Sequence, residues 1–127
     1  MTSKKIELSD YYELLALHRA LLESKFCPVP NDLDVSGSPI IATLHKKVVS
    51  LLIDVEASRR GEEAKLKWKK WLQIDSERRE WKAGLERARS QHSWDSWSNA
   101  EKKRFSYNLL SPFEVDEKLL RKFISSV

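Results

Sequence analysis

The chain has 127 residues, with 23 Lys plus Arg against 19 Asp plus Glu, one Cys, three Gly and four Pro. At 41% hydrophobic and 33% charged it is too apolar for a disordered segment, and too poor in Gly and Pro for a collagen-like or linker composition. A single helical domain over 1–127, with one core and no linker, is the expectation for this length.

A lone thiol, Cys27, makes no internal disulfide, so a cytoplasmic location is expected. Lys4 and Lys5 resemble the start of an export signal, but Glu7, Asp10 and Glu13 interrupt any apolar stretch behind them. The longest apolar run, Val48 to Ile53, is flanked by Lys46, Lys47 and Asp54 and is far too short for a membrane span.

Asp10 with Glu13 reads as a capping pair, with Ser9 as the competing cap. From there Tyr11, Leu14, Leu15, Leu21, Leu22 and Phe26 gather on one helical face, and His18 lies at the centre of the stripe. Pro28 and Pro30 end that helix. The turn-forming residues that follow predict a long ordered loop at 27–38, a candidate edge for a binding site. Ser38-Pro39 opens the next helix, whose stripe of Ile41, Leu44, Val48, Leu51, Leu52 and Val55 carries His45 on its flank. Beyond Gly61, Ala64, Trp68, Trp71 and Leu72 fall about half a turn from that stripe, which predicts a bend or short break in a helix over 39–73.

Asp75 or Ser76 would cap a third segment running to about Ser90, with a thin apolar face of Trp81, Leu85 and Ala88. Ser98 and Glu101 form a capping box ahead of Phe105, Leu109 and Leu110. Ser111-Pro112 with Glu114 reads as one more start, leading into Val115, Leu119, Leu120, Phe123 and Ile124. The expectation is an all-α bundle of five to six helices, the N-terminal ones supplying most of the core.

Charge is uneven along the chain. Residues 1–58 hold 6 basic and 8 acidic side chains, and residues 59–127 hold 17 and 11. All five Trp lie between 68 and 97, interleaved with Lys and Arg. Trp and Arg are the favoured composition of protein interfaces. The first reading is therefore helix-mediated association, with a second copy or another protein, anchored by Trp68, Trp71, Trp81, Trp94 and Trp97. A second reading uses the same basic and aromatic face of 59–104 for nucleic acid, with Lys67, Lys70, Arg78, Arg79 and Lys82 on phosphates. No helix-turn-helix, zinc-finger or RNA-binding signature accompanies it.

A third reading places a small-molecule or metal site around His18 and His45, which share the inward side of their helices. The bland alternative is a pair of hydrogen-bonded core histidines, with Asp54 or Tyr11 as partners. No HExxH, Gly-rich phosphate loop or nucleophile elbow occurs, so the sequence supports no enzyme and implies no cofactor or metal.

Overall fold

The computed structural model describes residues 4–27 and 33–127, Leu33 through its backbone alone. Helix α1 spans Tyr11–Phe26, and the Asp10 side chain accepts from the Tyr12 and Glu13 amides at its start. Of the loop expected at 27–38, residues 28–32 lie outside the described residues, and Leu33–Ser36 form a one-turn helix, α2. Helix α3 (Pro39–Arg60) opens as the sequence predicts, with Ser38 accepting from the Ile41 amide and Pro39 in the first turn.

The break falls at Gly61, whose φ of 73° and ψ of −156° end α3 and begin α4 (Glu62–Trp71). Side-chain-bearing residues rarely adopt that backbone, so glycine is what lets the chain change direction here. The turn swings the displaced stripe of α4 back onto its neighbours. Ala64 is buried, and Trp68 packs beside the apolar contact of α1 with α3 made by Leu14, Leu21, Val48 and Leu52.

The second half holds α5 (Arg79–Arg89), a 3-10 turn at Trp94–Ser96, α6 (Asn99–Leu110) and α7 (Glu117–Ser126). Seven α-helices and no strand among the described residues make the fold all-α, with more helices than the five to six expected. Two starts are corrected. Helix α5 begins three residues after Ser76, because Asp75 spends its carboxylate on the Glu77 amide within a turn. The Ser111-Pro112-Phe113-Glu114 sequence does not open a helix. Ser111–Pro112 is a cis turn, Phe113 is drawn into the interior, and α7 is capped later by Asp116, which accepts from the Leu119 amide.

The centre of mass of the core is also corrected. Its larger cluster joins Phe26, Ile74, Trp81, Ala88, Trp94, Leu109, Leu110, Phe113 and Phe123, nearly all from the C-terminal half. Helix α1 ties the halves together. Its last turn sends Phe26 into this cluster, and the fully buried Lys25 amine donates to the Asn108 and Ser111 carbonyls at the end of α6. On the far side the Glu114 amide donates to the Leu72 carbonyl, fixing the end of α4 against the turn before α7.

Candidate functional site

An open cleft of about 350 Å³ lies between α1, α3 and α4, lined by Leu15, His18, Arg19, Leu22, Glu56, Lys67, Trp68 and Trp71. Its walls follow from helical spacing. His18, Leu15 and Leu22 are three or four residues apart on α1, as Trp68 and Trp71 are on α4, so each helix turns one aromatic and apolar edge to the cleft. His18, 5% exposed, is held by both indoles. Its ring centroid is 5.5 Å from that of Trp68 and 5.1 Å from that of Trp71, each in an edge-on arrangement. Such pairings add about 0.5–1.5 kcal/mol beyond burial.

Behind His18 stands fully buried His45, and the two rings meet through a 2.9 Å hydrogen bond between His18 Nδ1 and His45 Nε2. Burial, reinforced by Arg19, holds the His18 pKa below the ordinary histidine value. Burial acts more strongly on His45, with His18 and Lys25 adding to it, and pushes its pKa down to about 3. Both rings are therefore neutral near pH 7. His18 Nδ1 is committed to its partner, so Nε2 is the ring atom left for a ligand.

Glu56 is the second organising residue. One carboxylate oxygen accepts from the Tyr11 hydroxyl at 2.7 Å and the other from the Trp68 indole N–H at 2.7 Å. A single side chain of α3 thus fixes α1 and α4 on either side of the cleft. The bond to this carboxylate also raises the Tyr11 pKa.

The structure brings His18 and His45 together but gives them each other as partners; Tyr11 is taken by Glu56, and Asp54 is exposed. The five tryptophans do not form one surface. Trp81 is 1% exposed against Phe123, and Trp94 is buried beside Trp97 and Phe105, which removes both from any docking face. Trp97 is half-buried on Phe105, leaving Trp68 and Trp71 as the pair that borders an opening. The thin stripes of α5 and α6 bury these rings because the two helices and α7 meet on a shared interior.

The five basic residues chosen for phosphate contacts are likewise dispersed. Arg78 folds inward over Trp71 and Phe113, donates to the Trp71 and Gln73 carbonyls and pairs with Glu80. Arg79 bridges Glu23 and Glu80 and lines a separate groove with Lys82. Lys67 is on the cleft rim and Lys70 is exposed on α4. Among the described residues no cluster of three or more His, Cys, Asp or Glu side chains is arranged to hold a metal, and no helix is long and apolar enough to cross a membrane.

Glu56 escapes a reading of the sequence because it looks like one more polar residue beside an apolar stripe. Its two donors come from other helices. Lys25 carries a visible signal, since it shares the α1 face of Leu14, His18 and Leu21, where a charged residue is out of place. No protein-family model, curated protein or solved structure matches this chain.

Proposed function

We propose that the protein is a non-enzymatic binding module whose ligand site is the cleft between α1, α3 and α4. The seating of His18 carries this reading: a nearly buried imidazole, gripped by two indoles and anchored from behind by His45, borders an opening of ligand size. A proton-relaying base works best with a pKa near the operating pH, and His45 at about 3 lies far below it. The pair is better suited to holding a hydrogen bond in one orientation. The free thiol of Cys27 fits work in a reducing cytoplasm.

Thermal shift with a set of small aromatic compounds tests this. Ligands that use the cleft raise the melting temperature by several degrees at about 100 times their Kd. The rise disappears in Trp68→Ala and persists in Leu66→Ala, on the exposed side of α4. Absence of any shift across the set would refute the reading.

Helix-mediated self-association keeps one specific support. Ile40, Leu44 and Leu51 are exposed on α3 and fall within roughly 40° of arc on its outer side. A salt-insensitive dimer by light scattering that Leu44→Asp abolishes would establish it, and a monomer at every concentration would dismiss it.

A further inference from the structure

We infer that the cleft selects a small aromatic carboxylate, taking the ring against Trp68 and Trp71 and the anion at His18, Arg19 and Lys67. This rests on the cleft being the ligand site. The polarity of His18 follows from the atom behind it. In the neutral pair one proton lies between the rings, and His45 Nδ1 is buried with no hydrogen-bond partner among the described residues. If His18 were the donor, His45 would carry its own proton on that atom, leaving a buried N–H with no acceptor, which folded proteins rarely tolerate. If His45 Nε2 donates instead, the orphan is only a lone pair, and His18 carries its proton on Nε2. The cleft is then offered a donor.

The charges around that donor have one sign left to spend. Arg19 and Lys67 are exposed cations on the rim, and Lys67 has only a loose 3.9 Å contact with Glu63. Glu56 is the acid of the cleft, and both its oxygens already accept hydrogen bonds, from Tyr11 and Trp68. A cationic ligand would have to compete with those donors for Glu56, whereas an anion finds one neutral donor and two exposed cations, Lys67 only loosely paired. Trp68 and Trp71 supply flat apolar walls that a second ring system fills edge-on. At about 350 Å³ the space suits a two-ring body with a short acidic arm.

Isothermal titration calorimetry of the full chain with three matched probes tests this: 1-naphthylacetate, 1-naphthylacetamide and 2-(1-naphthyl)ethylamine. The acetate is expected to bind about tenfold more tightly than either of the others, as one charge-assisted hydrogen bond provides. In the Arg19→Gln/Lys67→Gln variant, whose changes are confined to exposed side chains, the preference shrinks to about threefold or less. Equal binding of all three probes would overturn the carboxylate selectivity while leaving the cleft as ligand site. Tightest binding of the amine would overturn it in favour of Glu56. Failure of all three to bind would instead count against the cleft itself.

Discussion

His18 Nδ1 and His45 Nε2 stand 2.9 Å apart across 27 positions of sequence, joining α1 and α3 by a ring-to-ring hydrogen bond inside the protein. The bond requires at least one neutral ring, and burial keeps His45 neutral down to about pH 3. An unfolded chain takes up that proton near pH 6.5, so between these values the unfolded state binds more protons and stability falls as the pH is lowered. His45 contributes a loss of at most about 1.4 kcal/mol per pH unit over this window. Urea titrations at pH 7, 5.5 and 4.5 should show the wild type losing more stability than His45→Gln. Parallel losses would contradict the assignment.

Lys25 has the opposite placement in pH. Burial, with Lys46 and Arg87 nearby, brings its pKa down to about 7, whereas the unfolded value is 10.5. Between these values the folded protein holds fewer protons, so this residue makes stability rise with pH from about 7 to 10.5 and adds no slope below 7. Lys25→Met keeps most of the volume and removes both the titration and the bonds to Asn108 and Ser111. Relative to that variant, the wild type should gain stability by up to about 1.4 kcal/mol per pH unit between pH 7.5 and 9.5, read from denaturant midpoints.

Gly61→Ala is expected to destabilise by about 1–3 kcal/mol in urea unfolding, although among the described residues no atom beyond its chain neighbours lies within 4 Å of the added methyl group. The cost is entirely one of backbone conformation, since φ is 73° there. Open space at Gly61 separates this effect from crowding. At Gly84 the methyl would lie 3.1 Å from Leu110 and 3.3 Å from Phe123, and any loss would reflect packing.

Ser106 is fully buried and its hydroxyl has no hydrogen-bond partner among the described residues. Ser106→Ala removes an unpaired polar atom without opening a large cavity, so it should leave stability unchanged or raise it by about 1 kcal/mol. A thermal melt that drops by several degrees would mean that the hydroxyl is bonded after all.

Where helix starts are set by neighbours in sequence, they were legible. Asp10, Ser38 and Ser98 all cap as their spacing suggests, and Gly61 breaks the long helix where the apolar stripe jumps. Ser111-Pro112-Phe113-Glu114 has the same local grammar and a different outcome. Phe113 packs instead against Phe26 and Trp71, and nothing nearby in sequence reveals those partners. The same reason governs the site. His18 and His45 were visible as inward residues of two amphipathic helices, and their meeting follows from those helices packing together. The division of the tryptophans was not, because Trp81 and Trp94 find their partners only once α5, α6 and α7 are assembled. Glu56 illustrates the limit: its role consists of bonds to Tyr11 and Trp68, 45 and 12 residues away.

The turn at Gly61 divides the helices into two groups, yet it does not divide the molecule into two folding units. Phe26 of α1 is a member of the C-terminal apolar cluster, and the buried Lys25 amine of the same helix donates to the Asn108 and Ser111 carbonyls at the end of α6. Severing the chain after Gly61 would strip one fragment of an aromatic wedge and the other of the surface that receives it. Neither piece keeps a closed interior. Helical circular dichroism and tryptophan fluorescence should accordingly lose their signals together, in a single transition, with the half rich in indoles reporting faithfully on the half that has none.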